Sequence, residues 1–160
     1  MHKLAMIAIA IALLALAVGK LLGTTSSDGA TVVRVVDGDT VIVRTGGREE
    51  HVRYIGVDTP ESVKPGTPVQ CFAKAASAAN RRLVQGERVR LVADAEARDR
   101  YGRTLAYVYR SSDGLFVNAE LVRSGYAKPL AIRPNVSHAG EFRRLASSAR
   151  RAGRGLWSRC

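Results

Sequence analysis

From Thr31 to Tyr109 the chain alternates apolar and polar positions in the manner of strands, interrupted by one stretch of helical spacing. The β-branched runs Thr31 to Val36 and Val41 to Val43 predict a hairpin around Asp37-Gly38-Asp39-Thr40. Gly46-Gly47 marks a second turn, leading into a strand over Glu50 to Val57. Val89 to Val92 and Arg103 to Tyr109 supply two more strands. Between them Phe72, Ala76, Ala79 and Leu83 recur at helical spacing, with Arg81 and Arg82 off that stripe. Val117 to Arg123 reads as a short helix stopped by Ser124-Gly125. Phe142, Leu145, Ala149 and Ala152 mark a third helix, with Asn135 or Ser137 as its cap. Three strands, a helix, two strands and two helices make an α+β domain.

The N-terminal segment has a different pattern. Met1, His2 and Lys3 precede an unbroken apolar run from Leu4 to Val18, which Gly19 and Lys20 interrupt and Leu21 and Leu22 extend. Residues 1–23 read as a signal peptide or signal anchor, residues 24–30 as a polar linker and residues 31–160 as the folded domain. Ala15-Leu16-Ala17 offers a small-residue cleavage site. Left uncut, Leu4 to Leu22 makes a helix of about 28 Å, enough to cross the hydrocarbon of a bilayer. Either way the domain is expected outside the cytoplasm, secreted or anchored to the outer face of the cell membrane by residues 4–22.

Composition narrows the class. With 160 residues, 46% of them hydrophobic, the chain supports one ordinary domain and is too apolar to be disordered. It carries 25 Lys plus Arg against 14 Asp plus Glu, a formal net charge of +11. Only Lys3, Lys20 and Asp28 of these precede Ala30, so the excess belongs to the domain. A polyanionic partner follows, either nucleic acid or an anionic membrane surface. Arg143, Arg144, Arg150, Arg151, Arg154 and Arg159 form a solvated helix face that can add to such attraction. Five short strands on a basic chain suit a closed barrel of the OB-fold type. Cys71 and Cys160 are too few for a disulfide scaffold. In an exported protein a bridge between them is the favoured reading, and two free thiols the alternative.

Three clusters carry candidate chemistry. Asp37-Gly38-Asp39-Thr40 is by itself a tight turn, Asp58-Thr59-Pro60-Glu61 a strand end, and Asp99-Arg100-Tyr101-Gly102-Arg103 a turn with surface charge. His51, Arg53, Ile55 and Val57 are expected on one strand face, so that a guanidinium interrupts an apolar side. Taken together, Asp39, Asp58 and Glu61 are hard oxygen donors without a nearby His or Cys, which favours calcium or magnesium. Two aspartates plus a carbonyl form a sparse cage completed by water, suited to an affinity of roughly 10⁻⁴ to 10⁻³ M. Arg53 and Arg103 are the natural bidentate partners of phosphate oxygens. Acids for a cation, one more acid for a water and two arginines for an anion describe phosphodiester hydrolysis.

In order and spacing, these three motifs resemble the staphylococcal nuclease (thermonuclease) family, from about Thr31 to Trp157. The likeness includes Asn118-Ala119-Glu120-Leu121-Val122-Arg123-Ser124-Gly125 and the closing Gly155-Leu156-Trp157-Ser158. The resemblance implies a five-stranded OB-fold barrel with three helices. It also implies calcium-dependent cleavage of DNA and RNA, leaving 3′-phosphate and 5′-hydroxyl ends, by a monomer that prefers single-stranded or frayed substrate. By the same resemblance Asp39, Asp58 and the carbonyl of Thr59 would hold calcium, with Asp37 supporting them from behind. Glu61 would orient or deprotonate the attacking water, Arg53 and Arg103 would hold the phosphate, and Arg100 and Tyr101 would contact a substrate phosphate.

The chain departs from the family pattern in three places. Pro129-Leu130-Ala131-Ile132 lacks the tyrosines that usually pack on the substrate base, weakening a contact worth about 1–3 kcal/mol per base. Ala73-Lys74-Ala75 replaces a Gly-Pro-Glu helix entry, and Thr67 stands where a lysine is common. A noncatalytic nucleic-acid-binding module on the same barrel is the alternative reading. The joint presence of Asp39, Arg53, Asp58, Glu61 and Arg103 argues against it, since binding alone has no need of them. His138 is expected to pack or cap near the third helix, and Trp157 to close the core.

Overall fold

The structure is a computed structural model that describes residues 26–62, 66 and 68–160. The expected signal or anchor, with Leu4 to Leu22, lies outside the described residues, as does Thr67. Among the described residues no helix is long and apolar enough to cross a membrane.

The strands are β1 (Ser26–Val35), β2 (Thr40–Thr45), β3 (Arg48–Tyr54), β4 (Val57–Asp58), β5 (Arg88–Val92), β6 (Thr104–Arg110) and β7 (Lys128–Pro129). The helices are α1 (Ala73–Val84), α2 (Val117–Arg123), α3 (Ala139–Arg151) and the single turn α4 (Leu156–Arg159). Five strands close a barrel in the order β1-β2-β3-β6-β5, the arrangement expected of an OB-fold. All its pairings are antiparallel except β3 with β6. Val32, Val41, Val43, Val52, Val89 and Val108 are buried in its core, the alternate positions that the period-two pattern assigns to one face. The strong curvature needs irregular ladders, and β1 has two. Its register shifts between Asp28 and Ala30, where Gly29 takes φ 119°, and again between Val32 and Arg34. The second shift lets Val32 and Val35 both face inward. Gln85 satisfies the disturbed backbone there, accepting from the Val35 N–H at 3.2 Å and donating to the Val33 carbonyl at 3.0 Å.

Several boundaries differ from the sequence reading. Residues 26 to 30, expected as linker, already belong to β1 and pair with β5 from Ser26 opposite Val92. Backbone pairing does not require apolar side chains, so a polar stretch can extend a strand. The single strand expected over Glu50 to Val57 is split. Gly56, at φ 78°, turns the chain between β3 and β4, and a Cβ there would lie 2.4 Å from the Phe142 ring. Because of that break His51 and Arg53 share a face, whereas Ile55 and Val57 are buried beyond the bend. α1 starts at Ala73, so Phe72, expected on the helical stripe, stands just before the helix in a left-handed conformation. At α3 the cap position is His138, and neither expected cap acts as one. Asn135 exchanges two hydrogen bonds with the Glu96 backbone, and Ser137 bonds Asp94. His138 packs among Tyr107, Phe116 and Phe142. Trp157 is half-buried against the core rather than enclosed in it. Cys71 and Cys160 form a disulfide across 89 residues.

Candidate active site

The barrel register gathers the three motifs at one rim. Thr40, at the start of β2, pairs with Arg53 near the end of β3, and Arg53 in turn lies opposite Leu105 of β6. Arg103 sits two residues before Leu105 and so continues its face. Arg53, Leu105 and Arg103 line one cavity of about 490 Å³ together with Arg100, Tyr101 and Leu130. Asp39, Asp58 and Glu61 do not line it. Asp39 and Asp58 pair with Arg53, and Glu61 acts on Asp58 through its charge, so Arg53 joins these acids to the cavity.

Arg53 is the hinge of this arrangement. Its Nη1 donates to the carbonyls of Tyr54 at 2.7 Å and Val57 at 2.8 Å, which exist as free acceptors because the strand breaks at Gly56. Its Nε lies 3.2 Å from Asp39 Oδ1 and its Nη2 3.3 Å from Asp58 Oδ1. With four partners the guanidinium has one orientation. Asp39 is buried, and its second oxygen accepts from both the N–H and the hydroxyl of Thr59, at 2.8 and 2.9 Å. The two loops can approach that closely only because residue 38 is glycine. A Cβ on Gly38 would stand 2.6 Å from Thr59 Oγ1.

The acids around Arg53 are short of positive charge. Burial, then the negative charge of Asp39, pushes the Asp37 carboxyl up to about 6. Burial and the charge of Asp39 likewise raise Asp58, with Glu61 adding to the effect and Arg53 and Lys128 opposing it. Among the described residues no three acidic, His or Cys side chains are arranged to hold a metal ion. Asp39 and Asp58 with a carbonyl are a smaller set of hard oxygens. Their unbalanced charge suits a hard divalent cation, whose arrival would relieve what burial and repulsion impose.

The turn before β6 is built differently. Asp99 accepts from the Tyr101 N–H at 2.9 Å, the Arg103 N–H at 3.0 Å and Arg103 Nε at 2.7 Å. Burial pushes the Asp99 carboxyl up, but these bonds outweigh it and hold it below the ordinary carboxylate range. Tyr101 is 69% exposed, with the guanidinium groups of Arg100 and Arg103 lying 4.8 and 5.6 Å from its ring centroid. Leu130 and Ile132 also line the cavity, from a segment, Pro129 to Ile132, that carries no aromatic side chain.

Three supporting residues carried no role in the sequence reading. Asn80, fully buried, accepts from the Tyr54 hydroxyl at 3.0 Å and donates to the Asp37 carbonyl at 2.9 Å, tying the acid loop to the core. Its signal was an amide beside Ala76 and Ala79 on the apolar stripe of α1. Asn118 accepts from the Val108 N–H at 2.9 Å and donates to the Ile55 carbonyl at 2.9 Å, fixing the bend after β3. Gln70 bonds the backbone of Glu61 twice.

Residues 51–159 match the family described as Staphylococcal nuclease homologue. The chain is 42% identical over 127 residues to the thermonuclease of Staphylococcus hyicus, covering 79% of this chain and 74% of the relative. It is 44% identical over 128 residues to the thermonuclease of Staphylococcus intermedius, covering 80% and 75%. Endonuclease YncB of Bacillus subtilis is 38% identical over 131 residues, 81% of this chain and 61% of that protein.

Proposed function

The chain belongs to the staphylococcal nuclease family and is a nuclease, and we propose that it is a calcium-dependent one, hydrolysing phosphodiester bonds of DNA and RNA to 3′-phosphate and 5′-hydroxyl ends. One observation carries the reading: a single fixed guanidinium, Arg53, bridges a charge-starved acid cluster to a cavity that Arg100, Tyr101 and Arg103 line.

On this reading a substrate phosphate enters between Arg53 and Arg103. Negative charge grows on its oxygens as phosphorus becomes five-coordinate, and donors already aimed there need no reorganisation at that moment. The four partners of Arg53 and the Asp99 grip on Arg103 supply that fixity. Asp39, Asp58 and the Thr59 carbonyl would hold calcium, which supplies charge stabilisation at a phosphoryl oxygen and a more acidic water. Glu61 orients the attacking water or takes its proton as the new P–O bond forms. The bond to the 5′ oxygen breaks, and that oxygen leaves as a hydroxyl with a proton from solvent. The enzyme acts as a monomer on single-stranded or frayed strands. It works outside the cytoplasm, secreted or held at the outer membrane face by residues 4–22, where calcium is near 10⁻³ M. The same basic surface can rest against anionic lipid.

The test uses purified full-length protein with single-stranded DNA and RNA, in calcium and then in chelator. Cleavage is expected in calcium only, with product 5′ ends that accept label from a kinase without prior dephosphorylation. Undiminished cutting in chelator, or 5′-phosphate ends, would reject the proposal.

A further inference from the structure

We propose that Gln70 is a positioning residue for Glu61, held in its own place by the Cys71–Cys160 bridge. The inference rests on the role given to Glu61 above. Glu61 follows β4 and Pro60, in backbone that no barrel ladder supports. Its position is set across nine residues instead. The Gln70 side-chain carbonyl accepts from the Glu61 N–H at 2.8 Å, and the Gln70 N–H donates to the Glu61 carbonyl at 3.0 Å. Both main-chain polar groups of Glu61 are thus fixed by one residue. The Gln70 carbonyl accepts from the Ala73 N–H at 3.1 Å, so the clamp is continuous with the start of α1.

The next two residues are tied to segments far along the chain. Cys71 is bonded to Cys160, and Phe72, at φ 68°, stacks on Tyr126 with ring centroids 5.6 Å apart. The C-terminal turn that carries Cys160 is itself seated beside Tyr126. The Leu156 N–H donates to the Gly125 carbonyl at 2.9 Å, and a Cβ on Gly155 would lie 2.3 Å from that same oxygen. Bridge and ring stack therefore meet on one base, the end of α2, and hold residues 70 to 72 from two directions. A carboxylate that must meet a water in line with phosphorus loses rate when its backbone wanders by a fraction of an ångström. Both cysteines are exposed, so a reductant can reach the bridge in the intact protein.

The test measures cleavage of a single-stranded oligonucleotide at saturating calcium. Gln70→Ala should lower kcat roughly ten- to hundredfold with little change in KM, as displacement of an aligned group does. Gln70→Glu keeps an acceptor oxygen of the same reach and should restore most of the loss. Opening the bridge, by reductant or as Cys71→Ser with Cys160→Ser, should also lower kcat, and Gln70→Ala should then cost less than it does in the parent. In a Glu61→Gln background Gln70→Ala should cost nothing further, which a merely structural role would not predict. The proposal is overturned if Gln70→Ala runs at parental kcat, or loses as much in the Glu61→Gln background as in the parent. If Glu61→Gln itself runs at parental kcat, the catalytic reading falls and this one with it. The Gln70 variants keep the bridge intact, so they decide even where the bridge-less protein does not fold.

Discussion

Arg53 and Arg103 face one cavity but are held in opposite electrical settings. Around Arg53 stand Asp37, Asp39 and Asp58, and two of them, Asp37 and Asp58, are raised because burial and the charge of Asp39 exceed what the neighbouring cations and hydrogen bonds supply. Behind Arg103 stands Asp99, lowered because its hydrogen bonds to Arg103 and Tyr101 outweigh its burial. The first region holds carboxylates raised by burial and repulsion, whereas the Asp99 carboxylate is matched by its donors. The proposed function rests on that contrast, with a cation assigned to the first and an anion between the two. The contrast also separates stability from chemistry, because Asp39 is buried while the Arg103 side chain is 34% exposed.

The largest break in that contrast should come from Arg53→Ala. It removes a fixed donor, for an expected kcat loss of about 10²- to 10³-fold. It also leaves Asp39 buried without its charge partner, for a loss of about 3 kcal/mol in stability, read as a fall in denaturation midpoint. An unchanged midpoint would mean that the acid cluster is not short of cation. Arg103→Ala comes next, with a similar kinetic loss but less than about 1 kcal/mol in stability, since its pair with Asp99 is part-exposed. Equal destabilisation by the two variants would erase the distinction between the regions.

The smallest effects are in pH, and they have opposite signs. Asp37 titrates near 6 folded, above its ordinary value of 3.8, so its charge costs stability above pH 6 and that cost fades as pH falls to about 4. Asp37→Asn should therefore stabilise the fold at pH 7 in calcium-free buffer by about 1–2 kcal/mol, read as a higher Tm, with the gap closing in acid. Asn keeps an oxygen to accept from the Asp39 N–H. Asp99 is depressed, so its contribution is full above the ordinary carboxylate range and is lost as pH falls through its lowered value. Asp99→Asn should lower Tm at neutral pH and lose that effect in acid. Thermal melts from about pH 2 to pH 8 compare the two, since the Asp99 window lies below the ordinary carboxylate value. Same-sign profiles would show that both regions carry the same charge balance.

What was legible in the chain was local or periodic. The alternation from Thr31 to Tyr109, the stripes of α1 and α3 and the Ser124-Gly125 stop after α2 specified five barrel strands and three main helices, because side-chain period follows from backbone geometry alone. Gly38 and Gly102 marked the loops that carry Asp39 and Arg103. Family resemblance then attached roles to those residues, and the barrel register brings Asp39, Arg53 and Arg103 to one rim. Only the folded molecule decided how they are held. The break at Gly56, which frees two carbonyls for Arg53, depends on Phe142 arriving from a helix 86 residues later. The Asn80 link to Asp37, the Gln70 clamp on Glu61 and the seat of Cys160 beside Tyr126 are likewise contacts between distant segments. Spacing along a chain sets which face a residue occupies. It carries no record of what another segment places against that face, so partners, burial and charge balance belonged to the tertiary structure.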